Sequence, residues 1–154
     1  NIPKSVFDQT SEFTVTYSVG QADNKIVSYH FANMESVIGM AHPANTNQTL
    51  NFDAQSGKQL TLADLFQPNS NYLTTIAQLS SQQLTTKLGT QDGEDFFIKE
   101  GTEPKEQSFQ NFLVTPDGLQ IIFDPATVAA DFAGTQIVTI PWHDLSNILT
   151  SQYK

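Results

Sequence analysis

Apolar and polar residues alternate with period two near the start of the chain: Phe13, Val15, Tyr17 and Val19 are separated by Thr14, Thr16 and Ser18. Side chains of a strand point to opposite faces in turn, so this spacing predicts a half-buried strand. Turn chemistry follows over Gly20 to Asn24, and Val27, Tyr29 and Phe31 then resume the alternation, which makes a hairpin. A third strand is expected over Ser36 to Met40, ending at Pro43, which cannot donate to a ladder. Another strand around Leu50 and Phe52 closes in the turn Asp53-Ala54-Gln55-Ser56-Gly57. The period then changes. Leu73, Ile76, Ala77, Leu84 and Leu88 recur at helical spacing, with Ser70 or Asn71 to cap the start and Gly89 to stop the end. Four threonines weaken this helix in isolation, so it must pack one apolar face on a sheet.

Asp92 to Gln107 reads as a long surface loop anchored at Phe96, Phe97 and Ile98. Phe112 and Val114, the turn Pro116-Asp117-Gly118 and Leu119 to Phe123 form a second hairpin, and Gln136 to Ile140 is a last strand. Pro141 suits the first turn of a closing helix whose Trp142, Leu145 and Leu149 share a face. Strands, a helix, then strands again predict an α+β fold: an antiparallel sheet packed against one main amphipathic helix and a short C-terminal helix. At 154 residues the expectation is a single domain over 1–154.

Charge narrows the partners. The chain carries −9, and its seven basic residues are lysines without one arginine. Nucleic acid, read through clustered Arg and Lys, is excluded as a partner, and anionic membrane surfaces are disfavoured for the same reason. No apolar run approaches the roughly 20 residues that span a bilayer, so the chain is not expected to be membrane-embedded. The absence of cysteine removes thiolate metal sites and thiol nucleophiles. A chain opening on Asn1 rather than Met is expected to follow a removed or upstream segment.

Candidate chemistry is sparse. His143-Asp144 lies on a helix, where adjacent side chains diverge, and is not read as a catalytic dyad. His30, His42 and His143 lack a ligand spacing, although Asp53 or Asp124 could meet them in the fold. Asp124 with Asp131, and Glu94 with Asp95, are read as solvated loop carboxylates rather than glycosidase pairs. No catalytic residue, metal or cofactor is therefore assigned. Gly39-Met40-Ala41-His42-Pro43-Ala44-Asn45 is the most unusual segment: a Gly and a Pro bracket a His at a bend. Gly39, His42, Asn45 and Asp124 are the candidate ligand-binding residues. Asn47-Gln48-Thr49 also spells a glycosylation acceptor, and Tyr17, Tyr29, Phe31 and Trp142 fall where core packing is the ordinary explanation.

Several segments together resemble a known family. Gly39 to Pro43 is followed by Leu50-Asn51-Phe52-Asp53, Ser56-Gly57-Lys58 and Leu60 to Phe66. Asn111-Phe112, Asp117-Gly118-Leu119, Ile122-Phe123-Asp124-Pro125, Ala133-Gly134 and Ile140-Pro141 come later. Their order over about residues 26–149 resembles the RsiV C-terminal-type domain, found in lysozyme-sensing anti-sigma factors and beside the catalytic domain of PdaC-type peptidoglycan deacetylases. The resemblance implies an α+β fold, an extracytoplasmic location in the periplasm or anchored to the envelope, and a noncatalytic binding or sensing role. Its implied partner is a cationic lysozyme-like protein or a cell-wall glycan; the alternative is an envelope glycan-modifying enzyme, deacetylase or hydrolase, or its accessory module. The chain departs from the family pattern at Met40, which replaces a glycine, and at Ala126 and Ala130, where an aromatic and a proline are usual.

Overall fold

A computed structural model describes residues 10–89 and 94–153. Strands β1 (Glu12–Ala22), β2 (Ile26–Ser36) and β3 (Ala44–Asp53) precede helices α1 (Tyr72–Leu88) and α2 (Glu94–Gly101). Strands β4 (Phe112–Val114), β5 (Gly118–Phe123) and β6 (Gln136–Pro141) and helix α3 (Trp142–Leu145) complete the order. The fold is α+β, with the strands divided between two antiparallel three-stranded sheets, β1-β2-β3 and β4-β5-β6.

The turns form where their chemistry places them. Asp23 closes the first hairpin, its Oδ1 accepting from the amides of Lys25 at 2.7 Å and Ile26 at 2.9 Å. Asp53 closes β3 by accepting from the Ser56 amide at 2.7 Å, with Gly57 at φ 72° completing the bend. Helix α1 buries Ile76, Ala77, Ser80 and Leu84 and ends at Gly89, whose φ of 87° suits glycine and whose amide bonds the Thr85 carbonyl at 3.0 Å. Its packing partner is the second sheet, where Leu119, Ile121, Val138 and Ile140 are buried. That sheet, α1, Ile98 of α2 and Phe109 share the apolar core with Leu60, Leu62, Leu65 and Phe66, and with Ile26 from the first sheet.

The first sheet meets the core in an unexpected way. Register places Phe13, Val15, Tyr17 and Val19 opposite Glu35, Asn33, Phe31 and Tyr29, on one face. That face looks outward, leaving Phe13 65% and Tyr17 71% exposed. The inward face carries Ser28, Thr49 and Asn51, and its side chains bond the open edge of β4. The Asn51 side-chain amide donates to the Phe112 carbonyl at 2.8 Å, the Phe112 amide donates to Thr49 Oγ1 at 3.1 Å, and the Val114 amide donates to Ser28 Oγ at 3.0 Å. Ser28 Oγ in turn donates to Asn51 Oδ1. Side chains thus supply what a neighbouring strand would otherwise give β4. Gly20 permits the approach, since a Cβ there would stand 2.4 Å from the Val114 carbonyl oxygen. The alternation predicted the strands correctly; it is the apolar side of β1 that is solvent-facing, because the buried edge of β4 requires polar partners.

Three further expectations change. The strand expected over Ser36 to Met40 is instead a turn after β2, with the Met40 amide bonding the Val37 carbonyl at 3.0 Å and Gly39 at φ 93°. The next strand begins at Ala44, just after Pro43. The expected loop over Asp92 to Gln107 contains α2, in which only Ile98 of the three proposed anchors is buried; its portion at 92–93 lies outside the described residues. Helix α3 stops at Leu145, and Leu149 is buried by an isolated bridge to Phe66 rather than by helical continuation.

Asn51→Ala orphans the buried Phe112 carbonyl and removes the acceptor for Ser28. It is expected to lower the unfolding free energy by about 2–4 kcal/mol in urea titration. A loss below about 1 kcal/mol would show that the inter-sheet bonds do not hold the sheets together.

Candidate functional site

The polar seam between the sheets continues from Asn51 to Asn47. The Asn47 backbone amide and side-chain Nδ2 both donate to Asp124 Oδ1, each at 2.7 Å. Nδ2 also reaches Thr135 Oγ1 at 3.1 Å, while the Asn47 carbonyl accepts from Asn111 Nδ2 at 2.9 Å. Asn47 Oδ1 lies 2.8 Å from His30 Nε2, so the ring donates from that nitrogen. Every polar group of Asn47 is therefore engaged. A carboxylate accepting two N–H bonds at this length forms charge-assisted contacts, the strongest in the seam.

Beyond Asn47 the first sheet and the loop after β5 separate. They enclose an open cleft of about 330 Å³ in which Thr14, Thr16, Met34 and Asn45 face Pro125, Gly134 and Thr135. A second cleft, of about 340 Å³, opens beyond the turn at Asp124 and is lined by Phe97, Asn111, Ala126 and Thr127. Asp124 stands between the two. The turn is tight: the Thr127 amide and hydroxyl bond the Asp124 carbonyl, and Ala126 adopts φ 64°. The first cleft has no ionised side chain, and its surface is mostly apolar with a few amides and hydroxyls set among it, a lining suited to a neutral ligand that offers both apolar and hydroxyl faces.

The sequence candidates divide between this cleft and its rim. Asp124 is half-buried in the seam and Asn45 lines the first cleft. Gly39 serves the turn between β2 and β3. His42 is exposed, with Nδ1 3.2 Å from the Pro43 carbonyl and Nε2 4.0 Å from Asp131 Oδ2. That pair joins the turn after β2 to the loop after β5. Ile38, Met40 and Phe132 on these two segments are exposed, Phe132 by 92%.

Other groups do not converge. His30 lies in the seam, His42 at the rim and His143 on α3; among the described residues no three of His, Asp and Glu gather to hold a metal. Although adjacent, His143 and Asp144 do meet, Nε2 to Oδ1 at 3.2 Å, but on the exposed surface of α3. The side chain of Glu94, paired in sequence with Asp95, lies outside the described residues. Asn47 was visible in the sequence only as a glycosylation triplet, and its engaged Nδ2 is not available for glycan attachment. Tyr17, Tyr29 and Phe31 belong to the outer sheet face and not to the core. Their rings are tilted by 38° and 35°, so they make no coplanar platform. Trp142 is separate from them, half-buried, with its indole N–H on the Thr115 carbonyl at 2.9 Å.

The chain has known relatives. The family described as a protein of unknown function (DUF3298) matches residues 63–143. The chain belongs to that family. It is 30% identical over 156 residues to the peptidoglycan-N-acetylmuramic acid deacetylase PdaC of Bacillus subtilis, covering 97% of this chain and 33% of that protein. It is 26% identical over 111 residues to the immunogenic protein MPT64 of Mycobacterium tuberculosis, covering 72% of this chain and 47% of that one. The chain thus spans about a third to a half of the length of these relatives. A crystal structure of a DUF3298 family protein from Pseudomonas aeruginosa PAO1 superposes with a TM-score of 0.71 at 16% identity, over 92% of this chain and 63% of that one. Another family member, from Bacteroides fragilis, gives 0.73 at 20% identity, over 93% and 56%. These two likenesses show a shared fold.

Two outcomes test the polar contacts of this DUF3298 domain. Asp124→Ala leaves the Asn47 amide without its acceptor and should cost about 1.5–3 kcal/mol of stability by chemical denaturation. Asp53, once a candidate metal ligand, instead accepts from the Ser56 amide and hydroxyl, and these bonds hold its carboxyl below the ordinary aspartate range. A lowered folded value means its stabilisation is in force above the unfolded value of about 4 and is lost as pH falls through the folded one. Denaturation midpoints should therefore decline below pH 4, and Asp53→Asn should decline less steeply over that window.

Proposed function

We propose that this DUF3298 domain is a noncatalytic binding module of the cell envelope, folded as a single unit outside the cytoplasm, whose first cleft takes a neutral stretch of cell-wall glycan. The observation that carries this reading is the cleft between Asn45 and Thr135, lined by amide, hydroxyl and small apolar groups beside a seam that fixes Asn47. Sugar hydroxyls both donate and accept, and such side chains answer both roles without ionic charge. The relation to a peptidoglycan deacetylase supports a glycan setting, and about two-thirds of that protein lies outside the likeness. The rival reading, a glycan-modifying enzyme, would use His42, whose nearest carboxylate is the exposed Asp131 at 4.0 Å.

Titration of the domain with soluble muropeptides, followed by amide chemical shifts, is expected to move signals of Asn45, Asn47 and Thr135. Asn45→Ala should weaken binding at least about 5-fold, the scale of one lost hydrogen bond. Silence at millimolar ligand would remove the glycan reading, and deacetylation or hydrolysis by the domain, abolished by His42→Ala, would replace it with the enzyme. A second reading rests on Ile38, Met40 and Phe132, exposed near the His42–Asp131 contact in a chain of charge −9. It is the docking of a cationic protein such as lysozyme, as in the sensing domains that the sequence resembles. Lysozyme binding that survives Asn45→Ala and is lost in Phe132→Ser would select it.

A further inference from the structure

Strand β1 is the outer strand of its sheet, and among the described residues only β2 pairs with it. The strand is eleven residues long, and its edge away from β2 has no strand partner among the described residues. Proteins usually blunt such an edge with lysine, proline, a short strand or a bulge, because an open ladder recruits another chain. Here Phe13 to Ala22 contains no charged residue and no proline, and the irregularity after Val19 leaves the pairing from Glu12 to Val19 regular. The apolar face of β1 adjoins that edge directly.

We propose that β1 pairs antiparallel with β1 of a second copy of this chain, joining two three-stranded sheets into one of six strands. The sequence of β1 is self-complementary in one register. A two-fold axis at Thr16 sets Phe13 opposite the second copy's Val19, and Val15 opposite its Tyr17. Because the paired numbers sum to an even value, all four apolar residues of each copy stay on one face. Aromatic side chains then lie opposite β-branched ones, a favoured cross-strand combination. Shifting the register by two residues either way leaves Phe13 or Val19 without an apolar partner in this set.

Charge permits this occupant at β1. A second chain of −9 is repelled over most of the surface, but the strip from Phe13 to Ala22 is neutral, and Glu12 falls opposite Gly20 of the second copy rather than opposite another carboxylate. The cleft at Asn45 opens on the opposite face of the sheet, so the pairing leaves it accessible.

Sedimentation equilibrium of the whole chain tests the proposal. The weight-average mass is expected to rise from 17.0 kDa toward twice that value as concentration increases, over a range of about 10 μM to 1 mM. Raising ionic strength should strengthen association by screening the two acidic copies. Val15→Glu with Tyr17→Glu places carboxylates across the axis from one another and should weaken dimerisation at least about 10-fold. Both positions are exposed, so the variant's circular dichroism should match the parent's. Hydrogen exchange on the unmodified chain needs no substitution: β1 amides should gain protection as concentration rises. A mass fixed at 17.0 kDa up to about 1 mM overturns the proposal. So does a dimer indifferent to the paired glutamates, or β1 protection that is already complete in the monomer, which would mark cover from within the same chain.

Discussion

A sheet edge buried inside a protein must find hydrogen-bond partners, and in this fold β4 finds them on side chains. The Phe112 amide and carbonyl and the Val114 amide are answered by Thr49, Asn51 and Ser28. An unpaired buried amide or carbonyl costs on the order of 1–3 kcal/mol, so three such groups together rival the gain from turning a few more apolar residues inward. The polar face of the first sheet is therefore its buried face. Gly20, the exposed Tyr17 and the partly buried Phe31 are consequences of that one requirement.

The same seam positions the site. It runs from Ser28 and Asn51 through Thr49 to Asn47, where Asp124, Thr135, His30 and Asn111 converge on one asparagine. Past this point the sheet and the loop after β5 draw apart, and the cleft begins. Its floor is thus anchored by charge-assisted bonds while its walls are neutral. An anchored floor reduces the ordering cost that a weak, hydroxyl-rich ligand would otherwise have to offset.

The strands and α1 were legible because their periods of two and about three and a half are imposed by burial on one side, whichever side that is. Period alone says nothing about which side. Phe13, Val15, Tyr17 and Val19 carry the same pattern facing water as they would facing a core, and only the register against Ser28 and Asn51 decides. Asp23, Asp53 and Gly89 were readable from local turn and cap chemistry. Helix α2 was not, because its short sequence packs only Ile98 deeply and is flanked by glycines that suggest a loop. Asp124 stood out through the family-like segment around it, and Asn45 through its unusual bend. Asn47 carried no signal of its own, since its importance comes from residues 64 to 88 positions away.

That separation in sequence also shapes how the chain reaches its native state. The first three strands are synthesised before their partners, and the bonds from Asn51, Thr49 and Ser28 to β4 span 61, 63 and 86 residues. Until Phe112 and Val114 leave the ribosome, the nascent meander has apolar side chains on one face and unmatched hydroxyls and amides on the other. Long-range closure of this kind is slow relative to hairpin formation. The early meander is consequently the segment most in need of a holding chaperone during synthesis.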